Sequence, residues 1–237
     1  MSKIWKVALW LIGLFILILL LQYPMQKTSD SWQTWSLPLA GKTIVLDPGH
    51  GGVDGGAVGA DDTTEKMIAL QVSQMLRDYL QQSGATVYLT RDGDYDLADQ
   101  DTKGYSRRKT EDIQRRVDFI RDKQADLFLS VHLNALPDKK WRGAQTFYHP
   151  GKEDNEQLAK AIQSEIIRNL NNTEREPMAL QNIFILKYAE TPGALVEIGF
   201  LSNEEERSHL VTEEYQRKMA ASIYEGIIKY VSEASTE

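Results

Sequence analysis

Four side chains able to bind a metal or move a proton sit beside apolar runs, where such groups are expensive. The run IVLDPGHGG (44–52) carries three apolar residues into Asp47 and then sets His50 among glycines. LFLSVHLN places His132 inside an apolar stretch, and ALVEIGF does the same with Glu197. A buried imidazole or carboxylate costs several kcal/mol, as an order of magnitude, unless it is paired or ligated. One such group is noise; three at one end of a set of strands suggest a site. Glu65, in DTTE at a predicted helix start, falls within a turn of the end of the first strand.

His50, Glu65 and His132 offer two imidazoles and one carboxylate, the donor set of a catalytic zinc with one open position. The sequence has no cysteine, so thiolate ligands, disulfides and cysteine nucleophiles are excluded. Glu197 is then the candidate acid–base for hydrolysis. Each residue also has a plainer reading. Asp62-x-x-Glu65 fits a capping box; His132 fits a satisfied core histidine, His50 a turn residue, and Glu197 a buried ion-pair partner. Convergence on one rim favours the metal site over those separate readings.

Other polar residues are weaker signals. Asn134 lies two positions past His132 and is either a group that holds a substrate carbonyl or a strand-end turn residue. Arg107, Arg108, Lys109, Arg115 and Arg116 read as a solvated helix start, or as a grip for ligand carboxylates or an acidic partner. His149 and His209 read as surface residues.

These groups need elements to position them. Strands are expected at 42–47, 85–91, 126–135, 143–150, 183–189 and 194–200, from apolar, β-branched runs. Helices are expected at 65–82, about 110–123, 155–170 and about 213–231, with Gly84 as a stop. Residues 92–109 read as a long polar loop. Strands alternating with helices predict a three-layer α/β/α sandwich on a mostly parallel sheet of about six strands. In such sheets ligands bind beyond the carboxyl ends of strands, where the four residues fall.

Residues 1–26 read as a membrane anchor or signal sequence. Lys3 and Lys6 precede an uncharged stretch at 7–21, short of the roughly 20 residues that span a bilayer, though the flanks extend it. Residues 27–40, with two tryptophans, read as a tether, and 41–237 as the catalytic domain. Either N-terminal reading exports the domain. With 42% hydrophobic and 26% charged residues the chain is globular in composition. Its net charge of −7 argues against a nucleic-acid partner.

The motifs DPGHGG, GAVG, SVHLNA and VEIGFLSN, in that order with a helix-opening glutamate between the second and third, resemble the zinc-dependent N-acetylmuramoyl-L-alanine amidases of the amidase-3 family. The likeness runs from about 43 to 231. The stretches SWQTWSLPL, DLADQDTKGYSRRKTEDI, WRGAQTFY and AASIYEGI bring it nearest to the germination-specific branch. That resemblance implies one Zn2+ on His50, Glu65 and His132, with Glu197 catalytic. It implies cleavage of the amide joining N-acetylmuramic acid to L-alanine in peptidoglycan, on the way to the muramic δ-lactam of spore cortex. The implied setting is extracytoplasmic, between the forespore membranes and attached through the N-terminus. The implied partners are an accessory protein or a muramic-acid deacetylase of the same pathway. A vegetative autolysin of the same chemistry is the alternative; a zinc carboxypeptidase, or a glycan-binding module with a dead site, is a more distant one.

Overall fold

The computed structural model describes residue 5, residues 10–17 and residues 37–234. Residues 10–17 are helical. The rest of the expected anchor and residues 27–36 of the expected tether lie outside the described residues. Among the described residues no helix is long and apolar enough to cross a membrane. Residues 37–40 form a turn on the compact unit that follows, with Leu39 fully buried and its amide donating to the Ser83 carbonyl at 2.9 Å.

In chain order the domain runs β1 (Thr43–Pro48), α1 (Glu65–Gln82), β2 (Thr86–Leu89), α2 (Tyr105–Asp122), β3 (Leu127–Asn134) and β4 (Gln145–Tyr148). It continues with α3 (Glu153–Leu170), β5 (Met178–Ala179), α4 (Phe184–Tyr188), β6 (Gly193–Phe200), α5 (Glu204–Leu210) and α6 (Glu213–Ala234). The six strands form one sheet in the order β2-β1-β3-β6-β4-β5. All neighbouring pairs are parallel except β4 with β6. The expected α/β sandwich on a mostly parallel sheet is what the chain forms.

Strand alternation sorts the side chains between two layers. Ile44, Leu46, Leu127, Leu129, Val131 and Val196 pack with α1, α3 and α6. Val45, Phe128 and Leu195 pack with Val117 and Ile120 of α2 and with Ile185 and Leu186 of α4. On α1, Ile68, Val72, Leu76 and Leu80 recur every fourth residue and are almost entirely buried, each contributing about 1.5–3 kcal/mol by leaving water. Asp47, Ser130, His132 and Glu197 share the strand parity of Val45, Phe128 and Leu195. They therefore belong to the α2 and α4 side of the sheet.

Four elements differ from expectation. The run 183–189 is the helix α4 and not a strand. Its buried residues Ile185, Leu186 and Ala189 follow helical spacing, and a short apolar run cannot by itself distinguish the two states. The sixth strand is instead the two-residue β5, paired with β4. Helix α2 begins at Tyr105, so the expected loop is shorter, and α5 is an additional helix capped by Asn203, whose side chain accepts from the Glu206 amide.

Candidate metal centre and acid–base site

The end of β1 is an ion pair before it is a loop. Asp47 is buried and accepts hydrogen bonds from Thr90 Oγ1 (2.6 Å), Ser130 Oγ (2.7 Å) and Arg116 Nη1 (2.8 Å). Burial alone would raise its pKa. Arg116, Ser130 and Thr90 outweigh that and hold it at about 2. Arg116, 3% exposed, also donates to the Pro48 carbonyl at 2.7 Å and to that of His50. Arg91 donates to the carbonyls of Pro48 (3.0 Å) and Gly49 (2.7 Å). Two buried guanidiniums thus grip three consecutive carbonyls of the loop that presents His50.

The glycines beside His50 make room for the other two side chains of the cluster. A Cβ on Gly49 would lie 2.4 Å from the His132 ring, and one on Gly56 2.4 Å from Glu65 Oε2. His50 takes a positive φ of 59°, unusual for a side chain of its size. Its Nδ1 lies 2.9 Å from Asp54 Oδ2, and its Nε2 lies 3.1 Å from Glu65 Oε2. Burial would lower the His50 pKa, but Asp54 and Glu65 raise it to about 9. Asp54 accepts further from Tyr105 Oη (2.9 Å) and the Gly56 amide (3.1 Å), and pairs with Lys109 Nζ at 3.0 Å.

Glu65 opens α1 but does not cap it. The N-cap is Thr64, which makes no side-chain cap bond. Glu65 Oε2 accepts from the Ala57 amide (2.7 Å), and Oε1 accepts from the Leu133 amide (2.8 Å) and lies 2.9 Å from His132 Nδ1. The capping-box reading is therefore replaced. Burial pushes this carboxylate upward, but the two imidazoles hold it far below its ordinary range. One donor atom from each of His50, Glu65 and His132 lies within 4.8 Å of the others. A small cavity of about 60 Å³ adjoins both imidazoles and is also lined by Lys109, Ile113, Arg116 and Ile185.

Glu197 sits directly across from His132 in the β3–β6 register. Its Oε2 is buried with no hydrogen-bond partner. Burial, assisted by Glu65 and opposed by the imidazoles, pushes its pKa up to about 7. Immediately past this pair the register shifts, and Asn134 pairs with Phe200. Such an irregularity re-aims side chains. The Asn134 carbonyl accepts from the Leu201 amide at 2.8 Å, and the residue is half-buried.

The basic run divides. Arg107 is exposed, but Arg108 bonds Asp96, Arg115 pairs with Asp99, Lys109 pairs with Asp54, and Arg116 is buried. The reading of a solvated helix start fails for Arg116, because its partner Asp47 is remote in sequence. His149 is half-buried, its carbonyl accepting from Asn155, and His209 is exposed. Sequence reasoning missed Asp54, four residues after His50, and Arg91.

Residues 44–229 match the family model described as N-acetylmuramoyl-L-alanine amidase, Amidase_3. The chain belongs to this amidase family. It is 50% identical, over 98% of both chains, to the germination-specific N-acetylmuramoyl-L-alanine amidase of Bacillus subtilis (strain 168). It is 33% identical to the amidase LytC of the same organism, over 81% of this chain and 36% of that one. Among solved structures it is similar to the CwlD amidase of Clostridioides difficile in complex with the GerS lipoprotein. That match has a TM-score of 0.79 and 42% identity, covering 81% of this chain and 98% of the other. Within the amidase, His50, Glu65 and His132 are drawn together, Glu197 faces them across one strand, and Asn134 stands at the strand end past the register shift.

Proposed function

We propose that the chain hydrolyses the amide between N-acetylmuramic acid and L-alanine in peptidoglycan, with one zinc ion held by His50, Glu65 and His132. The observation that carries this reading is the convergence of those donors beside Glu197, an acid–base group with an unpartnered oxygen. The residues fit a single divalent ion. Two imidazoles and a carboxylate form a catalytic set that leaves a position open. Asp54 takes Nδ1 of His50 and so leaves Nε2 facing Glu65, the usual outer support of a ligating histidine. When bound, the ion supplies Lewis acidity, polarising the amide carbonyl and acidifying water.

The chain's own residues do the rest. The grip of Arg91 and Arg116 on the β1 loop fixes where His50 stands. Glu197 takes the proton of the attacking water at its unpartnered oxygen and returns it to the departing L-alanine nitrogen. Burial pushes its carboxyl upward, and a bound cation would act in the opposite sense. Asn134 is the group we assign to the substrate carbonyl.

The near full-length match to a germination-specific relative favours spore cortex, ahead of muramic δ-lactam formation by a deacetylase, over vegetative autolysis. It also supports an extracytoplasmic setting, while attachment through residues 1–26 rests on Lys3 and Lys6 ahead of the uncharged stretch at 7–21. The relative solved with a lipoprotein supports an accessory protein for this chain. Digestion of purified peptidoglycan, with products read by mass spectrometry, tests the reaction. Intact stem peptides with a free L-alanine amine should appear, chelator should abolish them, and zinc should restore them. Release of single amino acids, or activity indifferent to chelator, would overturn the proposal.

A further inference from the structure

Past Glu197 the rim of the sheet carries an aromatic platform that the hydrolytic chemistry leaves unused. Residues 135–144 leave β3 just after His132 and return as β4, whose first residue, Gln145, is the cross-strand partner of Glu197. Trp141 lies in this connection with 43% of its surface exposed. The indole is nonetheless held in place. The Arg175 guanidinium lies 5.7 Å from the Trp141 ring centre and 5.0 Å from that of Phe200. Arg175 Nη1 donates to the Gly143 carbonyl at 2.8 Å. Phe200 is buried and closes β6, the strand of Glu197. The connection is tied down at other points, with the Leu136 amide donating to Ser202 Oγ (3.1 Å) and the Gly143 amide to Glu206 Oε1 (2.8 Å).

A rigid, half-open indole presents a flat apolar face with a negative quadrupole. The C–H face of a pyranose ring is complementary to that surface. Cation contacts of the kind Arg175 makes immobilise the ring, so little order remains to be imposed on binding. Lys140 lies 5.6 Å from the same ring, but its side chain is 73% exposed and can give way. Trp141 stands four residues before Gln145, the cross-strand partner of Glu197, so a polymer held at Glu197 and extending over the start of β4 would meet it.

We propose that Trp141 is a stacking subsite for a sugar ring of the glycan strand beside the muramic acid whose amide is cut. The inference rests on the amidase reading, and the test separates the two. In the full chain, replacing Trp5, Trp10, Trp32 and Trp35 by Phe leaves Trp141 as the one remaining tryptophan. Its emission should shift and saturate on titration with glycan strands free of stem peptides, a signal that needs no hydrolysis. On polymeric peptidoglycan, Trp141→Ala should lower kcat/KM about tenfold, mainly through KM, while Trp141→Phe keeps most of it. On a single muramoyl-peptide unit without neighbouring sugars, Trp141→Ala should match the parent. Unchanged emission with glycan, or an equal loss on polymer and single unit, would overturn the subsite. If the unsubstituted chain released no stem peptides, the amidase reading would fail while the emission titration still reported on the subsite.

Discussion

The two sides of the site are built in opposite ways. On the β1 side the groups that hold the loop are bonded more than once: Asp47 accepts three hydrogen bonds, and two buried arginines hold three consecutive carbonyls. On the β6 side Glu197 keeps a buried oxygen with no partner. Fixed dipoles surround the groups that hold the loop, while the group to which we assign proton exchange has no such partner. The difference teaches that satisfaction of buried polar atoms, read residue by residue, separates the scaffold of a site from its moving part.

Substitutions on the two sides should therefore fail differently. Glu197→Gln should lower kcat by about a thousandfold, within the range expected of a general acid–base. Stability should be unchanged or slightly improved, since an unpartnered buried carboxyl stabilises nothing. Steady-state kinetics with urea unfolding checks both parts, and wild-type turnover in this variant contradicts the assigned role. Asp47→Asn should do the reverse, destabilising the fold by about 3 kcal/mol because Arg116 loses a buried counter-charge. The shift would be read from the urea midpoint.

A smaller effect sharpens the comparison inside the β1 side. Asp54→Asn removes the carboxylate that orients His50 and should weaken zinc affinity by about tenfold to a hundredfold, measured by competition with a coloured chelator. Smaller still is the pH response. Asp47 titrates at about 2 in the fold against an ordinary 3.8, so its stabilisation is fully present above 3.8 and is lost as pH falls through about 2. That difference is worth about 2 kcal/mol. Acid unfolding of the wild type should show it, and Asp47→Asn should not.

Much of this was legible in the sequence because the costs are local. His132 and Glu197 stand out in apolar strands whatever their surroundings, and His50 stands out among glycines. Glu65 was ambiguous between a cap and a ligand, and only the fold shows it bonding the amides of Ala57 and Leu133 in place of its own helix. Arg116 reads as a solvated residue because its burial depends on Asp47, on another element, and no local pattern records that. The run 183–189 reads as a strand because short apolar segments serve either period. Asp54 carried a signal, four residues after the histidine, that only the imidazole contact makes meaningful.

His50, Glu65 and His132 should hold one ion between them, and Glu197 should take no part in holding it. Metal content after dialysis, measured by plasma emission on the wild type, Glu197→Gln and His132→Ala, tests it most directly. The account predicts about one zinc per chain in the first two and almost none in the third. Full zinc in His132→Ala, or its loss in Glu197→Gln with the fold intact, would contradict it.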